Sequence, residues 1–248
     1  MSESWIVGIN PVEAALTNDP DRVRKVLVEQ KSKNERVNEI VSMARKLGLV
    51  LEQVSKEQLE KLGGEARHQG VIALYQTPPL RDETHLLPLL EAAGANAFVL
   101  VLDGVTDPHN LGACLRSAAA ANVTAVVVPK DRAVGITPTV RRASAGGADR
   151  VPLIAVTNLA RALGILKDAG VWITGLAGDT DKSIYDLDLK GPTALVMGSE
   201  GDGMRRLTRE NCDFLAKIPM PGDMESLNVS VATGVVLFEA LRQRGAKR

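Results

Sequence analysis

Two rhythms alternate along this chain: short apolar runs of strand length, and longer stretches in which apolar residues return every three or four positions. Residues 5–9 read as a strand. Asn10, Pro11 and Glu13 then make a helix start with a cap, a first-turn proline and a capping-box acid, and helix follows to about Leu16. Lys25 to Glu29 reads as the next strand. Val37, Ile40, Val41, Ala44 and Leu47 recur at helical spacing until Gly48, and Leu49 to Val54 is again strand-like. Ser55 with Gln58 opens a helix carrying Leu59 and Leu62, Gly63 and Gly64 close it, and Gly70 to Tyr75 completes a small alternating unit.

Residues 77–96 change character. Pro78 and Pro79 interrupt any regular element and mark a connector, within which Leu86, Leu87, Leu89 and Leu90 can form a short docking helix. Beyond it the apolar runs lose their alternation. They predict strands at 97–102, 124–128, 151–156, 171–175, 193–197 and 214–218, and helices near 110–121, 157–169, 203–210 and 227–243, with Thr157 capping one of them. Strands apolar at every position are buried on both faces, so the order argues an α/β fold with a parallel-rich sheet covered by helices. The pattern therefore divides the chain into 1–76, a linker over 77–96, and 97–248.

Composition narrows the function less than the pattern does. Thirty basic and thirty acidic side chains cancel, so no overall charge draws this chain to nucleic acid. Local basic clusters are the remaining candidates: Arg22, Arg24 and Lys25; Lys31, Lys33 and Arg36; Arg141 and Arg142; Arg205, Arg206 and Arg209. Cys114 and Cys212 stand far apart without a CxxC or histidine partner, and three scattered histidines give no zinc pattern, so no metal site is expected. No apolar run approaches the ~20 residues of a bilayer span, and the N-terminus has no signal-peptide pattern, so the expectation is a cytoplasmic, reduced protein.

Three stretches carry the candidate chemistry. DGVTDPHNLGACLRSA (103–118) follows an apolar strand and bears Asn110 and Arg116. ALVMGSEGDGM (194–204) breaks from a strand into a glycine turn around Glu200, and IPMPGDMESLNVSVATGVVLFEAL (218–241) leads through Ser226, Leu227 and Asn228 into a long helix. In a parallel sheet the loops at the carboxyl ends of the strands converge on one crevice. Each loop has a plainer reading: Ser226 or Asn110 as helix caps, Arg116 as a surface arginine, and 198–203 as an ordinary glycine turn. The glycines fit neither the dinucleotide fingerprint nor the phosphate-loop lysine motif. Near the end of the small unit, Arg67, His68 and Gln69 are either RNA contacts or a polar turn before Gly70.

Taken together and in order, the three stretches resemble the motifs of the SpoU or TrmH family of RNA ribose 2′-O-methyltransferases, over residues 97–245. The strings GINPVEAAL and RHQGVIA in the first 76 residues are similar to the small RNA-binding extension that some members carry, those acting on a guanosine of large-subunit ribosomal RNA. The resemblance implies a knotted parallel-sheet methyltransferase domain behind a small α/β RNA-binding domain, a homodimer, and S-adenosylmethionine as methyl donor. It implies cofactor contacts at Gly175, Leu176, Ala177, Gly198, Ile218, Met220 and Leu227. It also implies catalytic parts for Asn110, Arg116, Glu200, Ser226 and Asn228. A guanidinium stays protonated, so Arg116 suits gripping a phosphate and orienting the ribose better than taking a proton. Glu200 can take the proton or hold Arg116 or Asn110 in place. Three rivals stand beside this reading: the same chemistry on transfer RNA, a ribosome-associated RNA-binding protein without catalysis, and a nucleotide-binding oxidoreductase. The apolar stripe Val231, Val235, Phe238 and Leu241 of the last helix is either a dimer contact or, the plainer expectation, monomer core.

Overall fold

The computed structural model describes residues 2–30, 32, 34–64, 67–77, 81–132 and 134–245. Lys31, Lys33, Pro78 and Pro79, weighed above as part of a basic cluster and as a connector, lie outside the described residues. Contacts group the chain into two units: Met1–Pro79 with Ile136–Arg142, and Leu80–Gly135 with Ala143–Arg248.

In the first unit β1 (Ser2–Val7), α1 (Ile9–Asn18), β2 (Val23–Glu29), α2 (Glu35–Lys46), β3 (Val50–Val54), α3 (Lys56–Gly63) and β4 (Val71–Thr77) follow in order. The sheet runs β1-β4-β2-β3, with β4 antiparallel to both neighbours and β2 parallel to β3. The last strand thus enters the middle of the sheet, where Val71, Ile72, Ala73 and Tyr75 are fully buried. Val12, Ala15 and Leu16 of α1 and Val37 and Ile40 of α2 pack on one face, and Leu59 of α3 on the other. Ser55 caps α3 as its sequence suggests, accepting from the Gln58 N–H at 3.3 Å. The start of α1 differs. Helix begins at Ile9 behind Gly8, and Asn10 lies inside it, accepting from Arg36 Nη2. The cap comes instead from Gln69, whose Oε1 accepts from the Ile9 N–H at 3.3 Å. Tyr75 donates to Asp19 Oδ2, which also lies 3.2 Å from Arg141 Nε, so Arg141 is held in an ion pair.

The second unit contains β5 (Arg81–Asp82), α4 (Leu86–Ala93), β6 (Phe98–Asp103), α5 (Pro108–Ala120), β7 (Ala125–Pro129), α6 (Pro138–Ser144, which straddles the boundary), α7 (Gly147–Arg150), β8 (Leu153–Val156), α8 (Leu159–Asp168), β9 (Trp172–Leu176), β10 (Thr193–Gly198), α9 (Arg206–Glu210), β11 (Phe214–Ala216) and α10 (Val229–Gln243). The stretch read as a connector therefore holds β5 and α4, and Leu86 and Leu90 of α4 join the core. All seven strands are parallel, ordered β11-β9-β10-β6-β7-β8-β5. The order turns back between β6 and β10, which is where an open parallel sheet offers a crevice at the carboxyl ends of its strands.

Helix starts in this unit differ from the sequence expectation by one to three residues, because a neighbouring acid or amide wins the cap. Asn158, not Thr157, caps α8, and Asp107, not Asn110, caps α5 by accepting from the Asn110 N–H at 2.9 Å. Asn228, not Ser226, caps α10 through the N–H groups of Ser230 and Val231. The core face of α10 is Val229, Thr233, Val236, Leu237 and Ala240. Val231 and Phe238 are 52% and 48% exposed, so the stripe expected as core is largely solvent-facing. α6 and α7 have no counterpart in the expected pattern. Ala145 and Gly146 between them adopt φ of +47° and +87°, and a Cβ on Gly147 would stand 2.7 Å from the Leu115 carbonyl oxygen and 2.9 Å from Arg116 Cα. α7 therefore leans directly on the α5 backbone.

Candidate functional site

Three strand-end loops meet at one carboxylate. Glu200, in the turn after β10, accepts at Oε1 from Asn228 Nδ2 at 2.7 Å, from the Val229 N–H at 3.3 Å and from Asn110 Nδ2 at 3.3 Å. Asn228 Nδ2 also donates to Asn110 Oδ1 at 3.0 Å, closing the triangle. The amide orientation of Asn228 is dictated locally: its Oδ1 is taken by the first-turn N–H groups of α10 and by Ser230 Oγ, so only its Nδ2 can face Glu200. One side chain thus caps a helix and ties it to the glycine turn. All the bonds fall on Oε1, and Oε2 of Glu200 has no partner among the described residues.

Beside this junction opens a cleft of about 790 Å³, within the range of small-molecule sites. Leu176 and Ala177 after β9, Gly198 at the end of β10, Ile218 and Met220 after β11, and Ser226 and Leu227 before α10 line it, with Glu200 at its edge. Gly178, Gly201 and Gly203 also face it, and a Cβ on any of them would meet nothing within 4 Å, so the space is open. Gly198 differs: a Cβ there would lie 2.2 Å from Gly203 C and 2.3 Å from Met204 N. The turn folds back on the strand end through paired bonds between Ser199 and Gly203, at 3.0 and 3.1 Å, and only glycine permits that approach. Gly175 is not part of the wall. Its Cβ position is filled by Met204 and Cys212, so it serves packing beneath the cleft.

Two ionic features were not foreseen. Glu225 and Lys217 line the cleft with Glu200, leaving one net negative charge there. Asp103, fully buried at the end of β6, accepts from the Arg205 N–H at 2.9 Å and from Arg205 Nε at 2.6 Å, tethering the far end of the glycine turn to the strand beside it. Asp103 pairs in register with Gly198, and an acid ending an apolar strand beside a glycine turn was the available signal. Arg206 and Arg209 are likewise occupied, by Glu210 and Asp179.

Arg116 is exposed on α5, has no partner among the described residues and does not line the cleft of its own chain. Six residues beyond Asn110, it projects about 120° around the helix from the junction. Glu200 therefore holds Asn110 and not Arg116. Neither cysteine offers a nucleophile. Burial pushes the Cys114 thiol up to about 11, offset in part by its bond to Thr233, and burial with nearby Asp213 raises Cys212 to about 11. Among the described residues no cluster of three His, Cys, Asp or Glu could hold a metal ion, and no helix is long and apolar enough to cross a membrane.

A parallel sheet with a polar junction and a roomy cleft at its switch point defines a nucleotide- or cofactor-binding α/β class. Comparison with known proteins narrows it: residues 97–238 match the SpoU rRNA Methylase family, and residues 5–80 match RNA 2′-O ribose methyltransferase substrate binding. A 23S rRNA (guanosine-2′-O-)-methyltransferase RlmB of Xanthomonas campestris pv. campestris is 60% identical over 240 residues, 97% of this chain and 96% of that one. One of the same description from Pseudomonas aeruginosa is 50% identical over 239 residues, 96% of each. The SpoU methyltransferase AviRb from Streptomyces viridochromogenes, solved in complex with the cofactor AdoMet, shares the fold with a TM-score of 0.65 at 24% identity, over 99% of this chain and 92% of that one. The chain belongs to the SpoU rRNA methylase family.

Proposed function

We propose that this protein transfers a methyl group from S-adenosylmethionine to the ribose 2′-OH of a guanosine in 23S ribosomal RNA. The observation that carries the reading is the junction of Asn110, Glu200 and Asn228 at the edge of a cleft walled by Gly198 and Ile218. The residues fit the donor. S-adenosylmethionine carries one net positive charge, and the cleft carries one net negative charge beside apolar walls that can sandwich an adenine. Bound there, it supplies an electrophilic methyl group on its sulfonium.

The chain's own residues then have three tasks. The cleft fixes the donor by backbone groups of the loops after β9, β10 and β11, a site built on rigid strand ends. Glu200, immobilised through Oε1, keeps Oε2 available to accept the proton that leaves the 2′-hydroxyl. Arg116, permanently charged and unpaired among the described residues, grips the phosphate beside the target ribose and steadies the incipient alkoxide. Ser226, in the cleft wall, and Asn228 orient the ribose and the donor. The protein works in the cytoplasm on large-subunit RNA. It works as a homodimer, for which the exposed Val231 and Phe238 of α10 supply an apolar contact. Tritiated methyl transfer to total RNA from cells lacking this protein, followed by primer extension, tests the proposal. It predicts one 2′-O-methylguanosine stop in 23S RNA, and label appearing solely in transfer RNA overturns it.

A further inference from the structure

The turn before β4 is built more tightly than a connection needs. Gln69, a non-glycine residue, adopts φ +53°, and Gly70 follows at +87°. A side chain in that left-handed region costs energy and persists where its surroundings hold it. Here they do. Gln69 Oε1 caps α1 through the Ile9 N–H, the Val71 N–H donates to the His68 carbonyl at 3.0 Å, and the Glu29 N–H donates to the Gly70 carbonyl at 2.9 Å. The Gly70 N–H in turn donates to His68 Nδ1 at 2.9 Å.

That last bond has a chemical consequence. An amide N–H can only donate, so Nδ1 of His68 must be the unprotonated nitrogen, and the imidazole carries its proton on Nε2. His68 thus presents one fixed N–H donor. Glu29 reaches the same place from the end of β2, its Oε2 lying 3.5 Å from the Cβ position of Gly70. Its carboxylate has no cation partner among the described residues. Both side chains are half-buried and line a cavity of about 530 Å³ together with Arg67, Lys56 and Glu60. Lys56 is paired with Glu60 at 3.6 Å, whereas Arg67 is exposed and unpaired among the described residues.

We infer that this cavity reads an unpaired guanine of the RNA. Of the four bases, guanine alone offers two adjacent donors, N1–H and the 2-amino group, next to an acceptor, O6. A carboxylate accepts from the two donors, the His68 Nε2–H donates to the acceptor, and Arg67 stacks on the ring or holds the flanking phosphate. Adenine and uracil place an acceptor opposite the carboxylate, and cytosine reverses the pattern. The inference rests on the proposed function for RNA as the ligand and deepens it by naming a base-reading subsite.

Fluorescence anisotropy with the full chain and labelled single-stranded RNA hexamers tests it, the central base being guanine, inosine, which lacks the 2-amino group, or adenine. Guanine is expected to bind at least about tenfold tighter than adenine and severalfold tighter than inosine. Glu29→Gln should bring all three within about twofold. His68→Asn, which keeps an acceptor for the Gly70 N–H but draws the outward donor back out of reach of the base, should weaken guanine binding most and guards against a Glu29→Gln chain that fails to fold. Equal binding of the three RNAs by the natural protein, or full discrimination by folded Glu29→Gln, overturns the inference. No methyl donor enters this assay, so it can fail while methyl transfer succeeds, and the reverse.

Discussion

Replacing Gly198 with alanine places a methyl carbon 2.2 Å from Gly203 C, 2.3 Å from Met204 N and 2.6 Å from the Gly203 carbonyl oxygen. All three atoms are backbone, so no side-chain rotation relieves the overlap. Ordinary contact begins at 3.4 Å, and the turn must retreat from the strand end by more than an ångström. Overpacking of this kind costs about 1–3 kcal/mol of stability. The functional loss is separate, since the retreating turn carries Glu200 and one wall of the cleft. A misplacement of about 1 Å is worth roughly 100-fold in rate. Urea unfolding, calorimetric titration with S-adenosylmethionine and tritiated methyl transfer measure the three consequences, which should all move together. Gly178→Ala provides the contrast: its Cβ meets nothing within 4 Å, and it should keep natural stability within about 0.5 kcal/mol. If Gly198→Ala binds the donor and transfers methyl at the natural rate, the close approach of turn to strand does not shape the site and the reasoning is wrong.

Other expectations follow from the same contacts. Arg116→Ala removes an exposed side chain with no partner among the described residues and should leave stability within about 0.5 kcal/mol and donor affinity intact while lowering methyl transfer at least about 100-fold; lost donor binding by calorimetry would refute that assignment. Asp103→Ala removes both of Arg205's bonds to that carboxylate and should cost about 1–3 kcal/mol in urea unfolding, since the half-exposed guanidinium left behind can turn to water, with Asp103→Asn, which keeps one acceptor, losing less. Burial and the nearby Asp19 push the Tyr75 hydroxyl up to about 12, so the fold favours its protonated form. That contribution, about 2 kcal/mol, is complete below pH 10 and is lost as pH rises from 10 to 12. Tyr75→Phe should flatten the alkaline limb of the stability profile by that amount, and an unchanged limb would contradict it.

Strands were the most legible part of this chain, because apolar runs such as FVLVL and ALVM have one stable fate in a covered sheet. Caps were less so. Ser, Thr, Asn and Asp compete for the same N–H groups, and the winner at Asp107, Asn158 and Asn228 depends on backbone angles no pattern reveals. The helices after Thr137 were missed since Ala145, Gly146 and Gly147 look like a loop, whereas their absence of bulk is what lets α7 meet α5. In the site, the loops bearing Asn110, Glu200 and Asn228 could be named from their residues. Their hydrogen-bonded geometry is long-range information that sequence order hides, as is the pairing of Asp103 with Arg205. The divergence of Arg116 from that junction follows from helical phase and could have been worked out beforehand.

The adjacency of β6 and β10 carries a kinetic consequence. Phe98 pairs with Thr193, and the whole segment from β7 to β9 is the loop that this contact closes. Closing so long an intervening segment is entropically expensive and rewards the chain only at the end, so refolding from denaturant should be slow, with catalytic competence arriving after most helical signal has returned. A chain caught midway would show well-formed secondary structure and an open seam down the centre of its sheet, the surface most in need of shelter from other chains.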